Sequence, residues 1–314
     1  MRGLLITNPS ATTAAGWSRD IVVKSLAAEV DLTVELTRYR GHASELAAAA
    51  RAEQLDVVFT LGGDGTVNET INGLLSATEG DCPLLGTIPG GLANVFPRAL
   101  GFPGDAMATA GLLIEALHHR STRRIPLGRL NGRYFAFNAG MGLDAAVIHA
   151  VEQSRAEGRK ASASGYVIEA IRQLWDGLGT AEPHITIEAH SRSGTLARIE
   201  DAYLAIVQNT TPWSFAGPVP LELGTAASFD SGLEVLGLTN LSPAAVAAFF
   251  AEGAARLPAE RRLVSAVAED CDRIQIWANR LLPVQVDGDS IGEFRELEIT
   301  LEPSAIEVLV PVDR

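Results

Sequence analysis

The sequence predicts an α/β protein: an N-terminal parallel sheet with helices on both faces, followed by a C-terminal β-sandwich domain. Three observations carry that prediction. Up to Arg120, short β-branched segments alternate with stretches of helical periodicity. From Arg123 onward the segments become strand-like, with Gly and Asn at their turns. Glycine turns also follow early strands, where a parallel sheet places its ligands.

Taken in order, Leu4 to Thr7 reads as a strand, Ser18 to Ala28 as a helix, Leu32 to Leu36 as a strand and Ala43 to Glu53 as a helix. Val57 to Leu61 is the next strand, apolar throughout as a buried parallel strand requires. The helix Thr66 to Leu75, the strand Leu84 to Ile88 and the helices Ala93 to Leu100 and Gly104 to His118 complete the rhythm. Beyond it, Asn131-Gly132 between Arg124–Leu130 and Arg133–Phe137 is a strong hairpin signal. Further strands are expected at His184 to Ala189, Ala202 to Gln208, Leu233 to Leu238, Asp272 to Ala278, Val284 to Val286 and Glu296 to Thr300, with helices at Ser164 to Leu174 and Ala244 to Ala255. The first domain is assigned to residues 1–122, completed by 301–314 through the strand-like Ile306 to Val310, and the second to 123–300.

Composition narrows the function. Hydrophobic residues make up 47% and charged residues 20% of 314, which describes a globular chain with a large core. No apolar run is long enough to span a membrane, and the chain enters a strand at Gly3–Ile6 without a signal-peptide pattern. Cytoplasmic residence is the expectation. Cys82 and Cys271 form no metal or redox motif. A net charge of −13 argues against nucleic acid and against strong adhesion to anionic membranes. The basic cluster Arg155, Arg159 and Lys160 reads as a solvated helix face.

The most informative stretch is Leu61-Gly62-Gly63-Asp64-Gly65-Thr66-Val67-Asn68-Glu69. Three glycines after a buried strand let the backbone turn close to a ligand, and a helix beginning there aims its N–H groups and dipole at phosphate. The Asp64 carboxylate would repel a bare phosphate, which a bridging cation such as Mg²⁺ reconciles. Asn8-Pro9-Ser10, Thr37 with Gly41-His42-Ala43, and Pro89-Gly90-Gly91 with Asn94 follow other strands of the same sheet. Further on, Gly140-Met141-Gly142-Leu143-Asp144 places an acid after a turn, and Asp287-Gly288-Asp289 brackets a glycine with two acids at a strand end.

In this order and spacing the motifs resemble the diacylglycerol kinase catalytic-domain family, which covers bacterial lipid kinases and the sphingosine and ceramide kinases. The resemblance spans nearly the whole chain. It implies a Rossmann-like or phosphofructokinase-like first domain, a C-terminal β-sandwich for the acceptor, and ATP and lipid meeting in the cleft between them. It also implies an ATP- and Mg²⁺-dependent transfer of the γ-phosphoryl group to the hydroxyl of a diacylglycerol-like lipid. By resemblance Asn8, Ser10, Thr37, Gly62, Gly63, Asp64, Gly65, Thr66 and Asn68 hold ATP, and Glu69, Gly91 and Asn94 join the nucleotide set. Asp64 and Asp144 lie near the catalytic Mg²⁺, and Asp287 and Asp289 approach the acceptor hydroxyl, one of them as general base. The partner implied is a lipid at a membrane surface, met transiently by a protein peripheral to the inner membrane. A homodimer stays open.

Three departures from the family pattern stand out. Leu92 replaces a threonine and Val95 an acid at the second glycine turn. Asp289 stands for the usual glutamate, one methylene shorter. Around Ala227–Leu233 a serine, Ser231, replaces an acid of a structural metal site, so a tight Mg²⁺ is not expected there and Asp230 is the side-chain ligand that remains. The alternatives are a kinase of a non-lipid polyol and a nucleotide-binding regulator without efficient transfer. An NAD kinase or phosphofructokinase-like enzyme would share the βαβα start, but the hairpin-rich second half and Gly142-Leu143-Asp144 weigh against a phosphofructokinase. Trp213, Phe215, Leu221 and Leu223 are candidates to line an acyl pocket or to touch a bilayer, with ordinary sandwich core as the competing reading.

Overall fold

The computed structural model describes residues 1–9, 17–76, 80–142, 184–257 and 261–312. The chain divides into two compact units, Met1–Pro126 with Pro303–Arg314, and Leu127–Glu302.

The first unit is built on four parallel strands. β1 (Arg2–Thr7), β2 (Asp31–Leu36), β3 (Val57–Gly62) and β4 (Leu84–Pro89) lie in the order β4-β3-β1-β2. Every residue of β3 is buried, whereas every residue of β2 at the edge is exposed or half-buried, in keeping with its more polar sequence. The connecting helices are α1 (Trp17–Ala27), α2 (His42–Ala52), α3 (Asp64–Ser76), α4 (Val95–Ala99) and α5 (Ala106–His119). The chain leaves β1 for β2 on one side and then crosses to β3 on the other. The carboxyl ends of β1 and β3 are therefore the switch point, where such sheets bind ligands. The C-terminal segment returns to this sheet, with Val308 in parallel register with Leu85.

The second unit is antiparallel. β5 (Thr122–Leu130) and β6 (Arg133–Phe135) form the expected hairpin, with Asn131 and Gly132 at φ 46° and 92°, the two positive values a type I′ turn needs. β7 (Asn138–Gly142), β8 (Ile185–Ser191), β9 (Leu196–Ala202), β10 (Leu204–Gln208), a small β11–β12 ribbon (Ser214–Ala216 and Val219–Leu221) and β13 (Leu233–Leu238) follow. After α6 (Pro243–Ala254) come two long strands, β14 (Ser265–Val286) and β15 (Asp289–Leu309). β14 pairs in turn with β13, β8 and β7 as well as with β15. Its inward residues, among them Ile274, Ile276, Val284 and Val286, meet Phe135, Met141, Ile187 and Val235 in one core. Phe249 of α6 packs on Ile206, Leu236 and Leu238 in a second.

Local differences from the expectation have physical causes. α4 starts two residues later than expected because Asn94 sits in the left-handed region at φ 49°, which a helix cannot contain. Asp272–Ala278 and Val284–Val286 are parts of the single strand β14, since a register shift between Trp277 and Leu282 absorbs the polar, proline-containing interruption. Likewise Glu296–Thr300 and most of Ile306–Val310 fall in β15. β9 escaped notice because it is largely exposed and lacks apolar alternation. The helix expected at Ser164 to Leu174 lies outside the described residues. No helix among the described residues is long and apolar enough to cross a membrane.

Candidate functional site

In the first unit the two glycine turns are built against each other. The N–H of Gly90 donates to the carbonyl of Gly62 at 2.8 Å. A Cβ placed on Gly91 would stand 2.7 Å from the Cα of Gly63, so backbone meets backbone with no room for a side chain. Asn94 closes the second turn on itself: its Oδ1 accepts from the N–H of Gly91 at 2.8 Å and its Nδ2 donates to the Gly91 carbonyl at 2.9 Å.

Asp64 is the first residue of α3, two residues ahead of the expected start. Its carboxylate turns onto the N-terminus of α4, accepting from Val95 N at 3.0 Å and Phe96 N at 3.1 Å. The acid of one glycine loop thus caps the helix that leaves the other. Asp64 also faces Arg98, whose guanidinium is pulled below its ordinary range by burial and supported in the opposite direction by Asp64. The Val95 side chain, at the family's acidic position, is a core residue here, 1% exposed. Leu92 is exposed.

Around this pair the remaining candidates take distinct places. Asn8 lies just past β1, its N–H on the carbonyl of Leu61 at 3.0 Å and its Nδ2 on the Thr66 hydroxyl at 3.3 Å. Thr37 is tied to the end of β1 through its N–H and the carbonyl of Thr7 at 2.9 Å. Gly63 and Gly65 are partly exposed, and Thr66 is buried against Gly62. Asn68 is fully buried and accepts from Asn72 within α3. Glu69 reaches the other way, onto Gly41 N at 2.8 Å and Ala43 N at 3.2 Å, and fastens the start of α2 to α3. Ser10 lies outside the described residues.

In the second unit, Asp287 and Gly288 form the tip of the β14–β15 hairpin, at φ 48° and 81°. Asp287 is 3% exposed, and its carboxylate accepts three backbone N–H groups: Ala136 at 2.7 Å, Phe137 at 2.9 Å and Asn138 at 3.1 Å. Its own N–H donates to the Asn138 carbonyl at 2.8 Å. Asp289, the first residue of β15, differs: its side chain is 20% exposed and stands 3.7 Å from Arg133. Behind the tip, Gln285 Nε2 donates to Asn138 Oδ1 at 2.9 Å, and Gln285 Oε1 accepts from Gly288 N at 2.9 Å. Asp144 lies outside the described residues.

Asp230 is exposed, in a loop that Ser231 closes through bonds to the carbonyls of Ala226 and Ser228. The acid that follows, Glu234, is buried and accepts from Thr225, Ala226 and Ala227 N–H groups; burial raises its carboxyl above the ordinary range despite those bonds. Among the described residues no three His, Cys, Asp or Glu side chains converge as metal ligands. Leu223 belongs to the core with Phe249, while Phe215 and Leu221 sit half-buried on the β11–β12 ribbon and Val219 is exposed there.

The structure therefore gathers Asn8, Gly62, Gly63, Asp64, Thr66, Gly91 and Asn94 in the first unit, and Asp287 and Asp289 on one hairpin of the second. It adds Arg133, Asn138 and Gln285, which the motifs did not single out. The available signal was Gln285 itself, a polar residue in the otherwise apolar run Val284 to Val286.

The diacylglycerol kinase of Bacillus subtilis (strain 168) is 35% identical over 150 residues, 45% of this chain and 46% of that protein. The diacylglycerol kinase of Staphylococcus saprophyticus is 38% identical over 116 residues, 37% of this chain and 36% of that one. The chain thus matches less than half the length of these relatives. A crystal structure from Bacillus anthracis str. Sterne, provisionally assigned as a diacylglycerol kinase, shares the fold with a TM-score of 0.77 at 23% identity, over 98% of this chain and 96% of that one. The diacylglycerol kinase catalytic domain family matches residues 2–130. Over those residues the chain is similar to the diacylglycerol kinase catalytic domain.

Proposed function

We propose that this protein is an ATP- and Mg²⁺-dependent kinase that transfers the γ-phosphoryl group to the hydroxyl of a diacylglycerol-like lipid. The observation that supports it most is the double glycine turn: two backbones in contact at the switch point of a parallel sheet, one of them opening helix α3. Such a turn fits phosphate, because a glycine loop opening a helix brings backbone N–H groups and the positive end of the helix dipole to an anion. Asp64 does not oppose an anion there as a bare carboxylate would, since two N–H groups of α4 offset its charge. Asn8 and Thr66 supply polar groups beside the cradle.

The chain's own residues divide the work of transfer. Phosphoryl transfer depends on positioning and on neutralised charge, and Mg²⁺ supplies charge neutralisation when it is bound. Asp64 and Asp144 are the candidate protein contacts that would hold it beside the nucleotide's phosphates. Asp289 is our candidate base. Both oxygens of Asp287 already hold backbone amides, while Asp289 is the more open of the two. It would take the proton of the acceptor hydroxyl as the new O–P bond forms and the bond to the bridging oxygen of ADP breaks. The β11–β12 ribbon, with Phe215, Val219 and Leu221, is the candidate contact with acyl chains at a membrane surface. That contact would be transient.

The test is incubation of the purified protein with Mg²⁺, γ-labelled ATP and a panel of lipid extracts, beside Asp289→Asn. A labelled lipid that disappears in the variant, while nucleotide binding persists, is the expected result. Nucleotide binding with no lipid or polyol labelled would leave a regulator in place of the kinase. Absence of nucleotide binding would remove both.

A further inference from the structure

The tip of the β14–β15 hairpin is held in an unusual way for a hairpin end. Such tips are ordinarily exposed and mobile. Here Asp287 is buried, its carboxylate takes three N–H groups, its N–H is bonded to Asn138, and the N–H of Gly288 is bonded to a side chain. That side chain, Gln285, is fully buried, and a buried amide is tolerated when both of its ends are satisfied.

Both ends are satisfied, through a relay. The carbonyl of Trp213 accepts from Asn138 Nδ2 at 2.9 Å, Asn138 Oδ1 accepts from Gln285 Nε2 at 2.9 Å, and Gln285 Oε1 accepts from Gly288 N at 2.9 Å. The direction of this chain is not a matter of choice. A carbonyl at one end can only accept and a backbone N–H at the other can only donate, so each amide between them has one allowed orientation. The relay thus runs from the segment that leads into β11 to the turn immediately before Asp289, without a break.

We infer that Gln285 is a positioning residue: with Asn138 it fixes the Asp287–Gly288 turn, and so the direction of the Asp289 carboxylate, and couples that direction to the Trp213 segment. The inference rests on the proposed role of Asp289. Catalytic carboxylates lose effect when displaced by an ångström, and a side chain acting through a turn is felt in turnover before it is felt in binding.

The polarity of the relay supplies a nearly isosteric test. Gln285→Glu keeps an acceptor for Gly288 but offers a second acceptor to Asn138 Oδ1; a flip of Asn138 would only move the conflict to the Trp213 carbonyl. Protonating the introduced carboxyl restores a donor and hence the relay. At neutral pH the variant should exchange the Gly288 amide hydrogen about fivefold faster than wild type, the size of one lost hydrogen bond. Its kcat should fall about tenfold or more with KM for ATP unchanged. Both defects should shrink as pH is lowered, which a role in packing alone would not produce. Gln285→Met, with no hydrogen-bonding group, should show the same defects without recovery at low pH.

Unchanged exchange in both variants overturns the relay. Faster exchange with wild-type kcat overturns its role in positioning Asp289. If the wild-type protein transfers no phosphate, or Asp289→Asn transfers it normally, the kinase reading or the role of Asp289 falls, and the exchange measurement still decides whether the relay holds the turn.

Discussion

Asp64 and Asp287 look alike in the sequence, each an acid followed by glycine at the end of a strand, and the structure uses both on backbone amides. Their settings differ. Asp64 caps a helix, where the N–H groups of Val95 and Phe96 are already aligned and the site is open to solvent on one side. Asp287 sits on the N–H groups of Ala136, Phe137 and Asn138, which belong to no helix and are buried. Water can replace the first carboxylate in part and cannot replace the second. The first unit therefore sets its acid on a helix end that water can partly serve, while the second holds its hairpin tip with a side chain whose loss has no substitute.

Replacing Asp287 by alanine is the strongest way to test that contrast. It strands three buried N–H groups, each of which costs about 1–3 kcal/mol when unsatisfied, so the loss in unfolding free energy should be about 4 kcal/mol after partial relaxation. Chemical denaturation followed by far-UV circular dichroism measures it. Asp64→Ala removes a helix cap and should cost about 1–2 kcal/mol. Equal losses in the two variants would erase the distinction between the helix-borne and the loop-borne carboxylate.

Gly91→Ala probes the cradle without touching a carboxylate. A methyl group at 2.7 Å from the Gly63 Cα must push two backbones apart. Overpacking of this kind costs about 1–3 kcal/mol, and nucleotide affinity should drop about tenfold as the turns separate. Calorimetric titration with a non-hydrolysable ATP analogue reads the affinity. Unchanged binding would mean that the contact between the two glycine turns is structural and that phosphate is held elsewhere.

Much of this was legible in the sequence, and the illegible part has a common cause. The βαβα order, the Asn131-Gly132 hairpin and the helical start behind Gly62 follow from local periodicity and turn chemistry, which a single sequence records. The family resemblance located the acids but not their partners. That Asp64 would turn to α4, Glu69 to α2 and Asp287 to residues 136–138 depends on contacts between segments 26 to 151 positions apart. Backbone amides leave no mark in a sequence, so a carboxylate bound to them reads the same as one awaiting a metal or a proton. Gln285 was the exception that could have been noticed, because an amide inside an apolar strand needs a partner wherever it is placed.

The smallest expected effect concerns a place where carboxylates surround a thiol rather than amides. Cys271 is buried on β14, and burial, followed by the nearby Asp270, Asp272, Glu234 and Glu269, pushes its thiol up to about 12. A thiol raised in the folded state contributes stability that is present below its unfolded value of about 8.5 and is lost as pH rises toward the folded value. Between those limits the protein should lose stability progressively, and Cys271→Ser should flatten that loss. At pH 8 the native thiol should react with a disulfide reagent at least about a hundredfold more slowly than in denaturant, because burial and a scarcity of thiolate act together. Cys82, raised by burial as well, should also react slowly. Rapid modification of Cys271 in the native protein would mean that its acidic surroundings open readily. The loop held by Glu234 would then be a looser device than the Asp287 clamp in the same unit, and the contrast would run between two sites of one unit rather than between the two units.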